Sequence, residues 1–207
     1  MLGYGLQVTL LAVRADLAGF SATLTGLVMS SFYIGFLIGS ILTPRITAKV
    51  GHIRVFAALA ALASAAILVH ALFIQVAVWI ALRLLSGFCF AGLYIVAESW
   101  LNDRATNKTR GKLLSLYMVV TYIGVGAGQL LLNLADPGGF ALFALTSVLI
   151  SVAVVPLLLS AGPSPVFQES VSISLGELYR LSPLGIVSIF VVGLVTATFF
   201  SLGPVYG

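Results

Sequence analysis

LAGFSATLTGLVMSSFYIGFLIGSILTP, residues 17–44, runs 28 positions without a charged side chain. A helix needs about 20 predominantly apolar residues to cross a hydrocarbon core of roughly 30 Å. This stretch is long enough, and four more follow it. They cover 55–82 (28 residues), 113–135 (23), 137–168 (32) and 181–207 (27). All are rich in Leu, Ala, Val and Gly, without the sustained alternation of a barrel strand, so helices are expected. Across the chain 60% of residues are apolar and only 8% are charged, against about 25% charged in ordinary soluble domains. Mean hydropathy is +1.17. A length of 207 residues would suit one or two soluble domains, but no such domain could hide this much apolar surface. The chain reads as an all-α, polytopic membrane helix bundle.

Spans are expected near 1–13, 24–44, 54–75, 76–101, 113–134, 138–160 and 183–205. Arg83 and Glu98 interrupt the fourth. Asp136-Pro137-Gly138-Gly139 reads as a tight turn, and the polar segment 161–182, with Pro163 and Pro165, as the candidate domain linker. Positive charge sorts between the connections. Arg45, Lys49 and Arg54 follow span 2, Arg104, Lys108, Arg110 and Lys112 follow span 4, and Arg180 follows span 6. The other side has Arg14 alone. Cytoplasmic loops collect Lys and Arg, so the basic connections and the amino terminus are expected inside.

The ends look incomplete. Residues 1–13 would make roughly 20 Å of helix, short of the hydrocarbon core, and no basic region or cleavage site marks a signal peptide. At the other end the chain stops as span 7 completes. The expected organisation is a six-span unit over 1–160 with a truncated first span, a cytoplasmic linker over 161–182, and the first span of a second unit over 183–207.

Several chemistries are disfavoured. One Cys and two His leave no room for a structural metal site or a disulfide framework, and no cofactor is expected. Cys89, inside an apolar run, reads as a small packing residue. Gly111-Lys112 is followed by Leu113, and Thr106 stands where a phosphate loop needs its first Gly. The net charge of +4 lies beside the spans and reads as an orientation signal, giving no reason to expect nucleic acid. Asn107-Lys108-Thr109 fits a glycosylation sequon but sits in a connection that reads as cytoplasmic.

Three local patterns carry chemistry. The first is PRITAKVGHIR (44–54), read as the connection between spans 2 and 3. The second is RLLSGFCFA (83–91), which places Arg83 inside a span. An arginine there costs at least about 2.5 kcal/mol on insertion scales and should face the bundle interior or a wet cavity. The competing reading is an Arg that snorkels to the interface, about two turns away at Val76. The third is LYIVAESWLNDRATNKTRGKLLS (93–115), where Glu98 is followed by bases. Glu98 and Arg83 are fifteen residues apart, about 22 Å along a helix, so they cannot pair directly. An acid near the hydrocarbon should be paired, and the nearest bases are Arg104 and Arg110. The competing reading is an interfacial carboxylate satisfied by water and nearby Lys.

These patterns, six spans, a linker and a further span resemble the major facilitator superfamily of secondary transporters, and the resemblance covers the whole chain. Aligned on Gly51, the 44–54 connection keeps Lys49, Gly51 and Arg54 of the family's G-x-x-x-D-[RK]-x-G-x-[RK]-[RK]. It has Pro44 for the first Gly, Ala48 for the Asp and Ile53 for a base, which puts the cytoplasmic latch of that motif in doubt. RLLSGFCFA matches the family's R-x-x-Q-G-x-G-x-A at Arg83, Gly87 and Ala91, with Ser86 for Gln and Cys89 for Gly. Ala97-Glu98 followed by Arg110-Gly111 is similar to the family's signature at the inner end of span 4. The Pro-Gly-rich antiporter motif of span 5 is not matched, because YIGVGAGQ has no proline. The resemblance implies a substrate or coupling role for Arg83. It also implies a cytoplasmic gating network of Glu98, Arg110, Arg104, Lys49, Gly51 and Arg54.

Gln129 and Asn133, four apart on one face of span 5, could line a cavity with Gln7 and Tyr94. Each is equally suited to an inter-helix hydrogen bond. Gly35-x-x-x-Gly39 and Gly124-x-x-x-Gly128 suit close helix packing. The expected function is secondary active transport of a small solute across the inner membrane by two rocking halves. Proton coupling is expected through the resemblance, and export is slightly favoured because a cavity with few charges suits amphipathic solutes. Lipid, the solute, protons and a second half-bundle are the expected partners. The alternative is a permease subunit driven by a separate ATPase, but RATNKTRG reads as a loop and not as a docking helix. A membrane enzyme would need clustered His, Asp, Cys or Ser, and none is found.

Overall fold

The computed structural model describes residues 1–159 and 175–206, with side chains over 1–159 and 176–196. The described residues form helices joined by short connections: α1 (Leu2–Leu17), α2 (Ala22–Val50), α3 (His52–Leu72), α4 (Val76–Arg104) and α5 (Arg110–Leu130) with a 3-10 turn (Leu131–Leu134). Then come α6 (Ala141–Val152), α7 (Val155–Leu158), α8 (Leu175–Leu181) and α9 (Pro183–Tyr206). Among the described residues, five apolar helical segments are long enough to cross a membrane: Ala22–Val50, His52–Leu72, Val76–Arg104, Arg110–Leu134 and Ala141–Leu158. The all-α membrane architecture expected from the sequence is therefore what the chain adopts.

The span limits shift in three places. First, 44–54 is not a loop. α2 continues through Pro44 to Val50, and α3 begins at His52, so Gly51 alone connects them. Proline lacks one N–H, which neighbouring groups tolerate in a membrane helix, and Thr43 and Thr47 bury the face on either side. Gly51 turns the chain at φ 92° and ψ 153°, a region essentially reserved for glycine. Second, α1 runs past Arg14 to Leu17. Third, the linker expectation over 161–182 falls largely outside the described residues, and its described end contains the short helix α8.

Two apolar clusters are buried at different levels of the bundle. One joins Leu6, Leu10 and Leu11 of α1 to Val28, Met29, Ile67, Trp79, Leu142 and Phe143. The other joins Phe32, Leu59, Ala63, Cys89, Phe90 and Ile150. Close backbone approach fixes the pairs of helices. A Cβ at Gly35 would overlap the Leu84 carbonyl, and one at Gly87 would overlap that of Phe32, so α2 and α4 pack at glycine distance. Gly5 against Val125 and Gly128 against Leu2 do the same for α1 and α5. Polar groups lock the rest. Ser64 Oγ lies 2.7 Å from Ser147 Oγ and 2.9 Å from Ser151 Oγ, tying α3 to α6. Trp79 Nε1 donates to the carbonyls of His70 (3.2 Å) and Phe73 (2.9 Å), satisfying oxygens that the end of α3 would otherwise leave orphaned.

Candidate functional site

α4 buries one stripe, with Trp79, Arg83, Ser86, Gly87 and Phe90 spaced three or four residues apart. That register carries Arg83 into the bundle. The side chain is only 2% exposed, so the interior reading holds and the snorkelling one does not. Its guanidinium carbon lies 4.5 Å from the centroid of the Phe32 ring, a cation–π contact strengthened by desolvation. Nη2 donates to the Met29 carbonyl over 3.5 Å. Nε and Nη1 are buried and have no partner among the described residues. Among the described residues, its electrostatic neighbours are the hydroxyls of Tyr4 and Tyr33 and the imidazole of His70.

Gln7 of α1 belongs to the same place. It is 1% exposed, and its Nε2 donates to Ser86 Oγ at 3.4 Å, one turn along α4 from Arg83. Its Oε1 is buried without a donor. Two guanidinium donors and one amide acceptor are thus left unmet at the meeting of α1, α2 and α4. A buried donor or acceptor without a partner costs about 1–3 kcal/mol. The arrangement is chemically suited to hold a small polar group, anionic or rich in acceptors, or an ordered water.

The other expected cavity residues divide. Tyr94 packs edge-on to Tyr4 with ring centroids 6.4 Å apart, and both line a cavity of about 120 Å³ enclosed by α1, α3, α4 and α6. Gln129 is half-buried near the end of α5. Asn133 lies beyond that end, in the 3-10 turn, exposed, and its Nδ2 donates to the Leu130 carbonyl at 3.2 Å. The shared α-helical face expected of Gln129 and Asn133 is therefore absent. Asparagine side chains compete for nearby backbone groups and favour such turns.

At the basic end, Glu98 is half-buried on α4. Burial is what its carboxyl experiences, and among the described residues no cation is found against it. Its electrostatic neighbours are Tyr94 and Tyr117. Arg104 ends α4, Arg110 opens α5, and Lys49 and Arg54 flank Gly51, all four exposed. The structure therefore gathers these groups at one end of the bundle without joining Glu98 to them. It also shows His52 at the start of α3, with Nε2 3.1 Å from Ser99 Oγ, bridging α3 to α4 next to Glu98. Sequence reasoning missed His52, and it missed Tyr4 and Phe32 around Arg83. Tyr4 stands three residues before Gln7, hence on the same helical face. That spacing was the available signal.

A model of the Major Facilitator Superfamily matches residues 1–207. Among curated proteins, the uncharacterized MFS-type transporter YcaD of Escherichia fergusonii is 28% identical over 183 residues, covering 87% of this chain and 48% of that protein. The proteins of the same name in Escherichia coli O6:K15:H31 (strain 536) and Escherichia coli K12 (DH10B) show the same identity and coverage. The chain spans about half the length of the curated relatives it matches.

Proposed function

The chain belongs to the Major Facilitator Superfamily, and from that premise we propose that it is the first half-bundle of a secondary active transporter for a small solute, sited in the inner membrane. The second half, beginning with α9, completes a pathway that opens alternately to either side as the halves rock. The amino terminus and the basic connections face the cytoplasm. A permease subunit driven by a separate ATPase is not carried forward, because the family match gives it no support.

The observation that carries this reading is Arg83, buried at 2% exposure with two guanidinium nitrogens unmet among the described residues, one turn of α4 from the Ser86 that holds Gln7, whose Oε1 is also unmet. A structural arginine would have those donors paired, so the unmet pair supports a role in holding solute or the coupling ion. Intramembrane ionisable groups are functional by default. Tyr94 and Gln129 extend the cavity, and Asn133 stands at its rim. No Asp or Glu lies mid-span in this half, so proton coupling runs through Arg83, through Glu98 or through the second half. Export of an amphipathic solute fits a cavity with so few charges. Glu98 pairs with Arg104 or Arg110, and Lys49 and Arg54 around Gly51 complete the gate, in the alternate state of the cycle.

The test is solute flux driven by an ion gradient in membrane vesicles carrying the intact transporter. Arg83→Ala abolishes flux with insertion into the membrane unchanged, and Arg83→Lys, which keeps the charge but not the fork of donors, retains only a fraction. Normal flux in Arg83→Ala would sink the assignment.

A further inference from the structure

α5 leans on α1 and only grazes α4, and a groove of about 470 Å³ opens where those helices diverge, at the basic end of the bundle. Its walls are apolar: Phe56 of α3, Val96 and Ala97 of α4, and Ala153 and Pro156 where α6 breaks into α7. Phe56, Ala97 and Ala153 also line the enclosed cavity beneath Tyr94. The two spaces therefore adjoin across these three side chains, with the groove as the outer part of the slot near the end of α4. Its volume falls in the range of ligand-binding clefts, about 300–1,000 Å³.

The mouth is different in kind. Arg104 lines it, and the connection just beyond carries Lys108, Arg110 and Lys112, while Arg54 lies two residues from Phe56. The acids of this end are Glu98 and Asp103, so the cations outnumber them. Trp100 also lines the slot, and its Nε1 is buried with no acceptor among the described residues. A buried indole N–H usually finds a partner. A narrow apolar slot, an unmet donor at interfacial depth and a cation at the rim match the parts of one molecule: acyl chain, ester or phosphate oxygen, and anionic headgroup. Basic pockets between helices on the cytoplasmic side suit anionic lipid headgroups.

We propose that this slot between α3, α4, α5 and α7 is a binding site for an anionic glycerophospholipid of the adjoining leaflet. One acyl chain enters toward Ala97 and Tyr94, the Trp100 indole donates to the glycerol ester or phosphate, and Arg104 holds the headgroup. The headgroup end, at Trp100 and Arg104, lies about five turns along α4 from Arg83, while the cavity its acyl chain enters is lined by Tyr94 and by Tyr4, which faces Arg83, and so adjoins the proposed solute site.

The chain has only two tryptophans. Trp79 is fully buried and bonded to two carbonyls between α3 and α4, which leaves Trp100 as the reporter. The 207-residue chain and its Trp100→Phe variant are reconstituted in phosphatidylcholine vesicles. A fixed minor fraction of lipid carries bromine atoms on its acyl chains, with either a phosphatidylglycerol or a phosphatidylcholine headgroup. The difference between the two proteins isolates Trp100 emission. Brominated phosphatidylglycerol quenches it roughly fivefold more efficiently than brominated phosphatidylcholine, the preference one cation near the surface supplies. Arg104→Ala removes the preference and Arg104→Lys keeps it, with Trp79 emission constant as a report of folding. Equal quenching by the two lipids in the unaltered chain overturns the site, whatever the variants do. So does a preference that survives Arg104→Ala. Absence of quenching by either lipid also overturns it, since that is the signature of a slot filled by protein.

Discussion

Arg83 and Gly51 show how single positions set what this bundle can do. Arg83 was visible in the sequence because it is the one charge deep in an apolar span, and a charge there is expensive. Its surroundings were not visible. Phe32, Met29 and Tyr4 come from other helices, and only the crossing of α1, α2 and α4 brings them to it. Asn133 leaves the α-helical face of Gln129 for a local reason: it lies in the 3-10 turn, where its amide donates to the Leu130 carbonyl. Gly51 was read as part of a loop motif. It is the whole connection, at φ 92°, with open space where a Cβ would stand. Gly51→Ala therefore meets no clash and suffers only from its backbone angles, a cost of about 1–3 kcal/mol. Unfolding in mixed micelles is expected to show that loss, and an unchanged midpoint would mean the junction relaxes into an ordinary turn.

At the scale of elements, the positions of helices were legible and their lengths less so. Charges bound apolar runs, so 76–101 and 113–134 anticipate α4 and α5 well. Helix can continue beyond the hydrocarbon into water, however, and hydropathy is blind to that part. α2 passes its proline and reaches Val50 for this reason. Which helices pair was half legible. The glycines spaced four apart marked close contact, but not against which partner. The structure pairs α2 with α4 through Gly35, Gly39 and Gly87. Gly87→Ala would force a Cβ onto the Phe32 carbonyl, and overpacking of this kind costs about 1–3 kcal/mol. Gly26, also in α2, has nothing within 4 Å of its virtual Cβ. Gly26→Ala should gain about 0.5–1 kcal/mol from helix propensity. Opposite signs in one unfolding assay are the expected result, and a neutral Gly87→Ala would contradict the tight α2–α4 seam.

For the whole molecule, the outer faces of α2 and α5 are the telling surfaces. Leu27, Ile34, Leu37 and Ile41 on α2, and Leu116, Val119, Val120 and Ile123 on α5, are exposed. Under the proposed two-half reading, these apolar faces are where a second half-bundle would pack. The 207-residue chain in liposomes is therefore expected to give no gradient-driven solute flux, and robust flux would overturn the two-half reading. The order of packing bears on how the bundle is made. α4 holds both α2 and α3 closely, whereas α1 rests mainly on α5 and α6 and touches α2 little. After α1 is made it must wait for about a hundred residues of further synthesis before α5 is available, roughly 5–20 s at ~5–20 residues per second. During that interval its Gly3 and Gly5 face has no helix to receive it. α1 is made well before the helices that seat it, which makes it the natural client of whatever shelters nascent chains in the membrane.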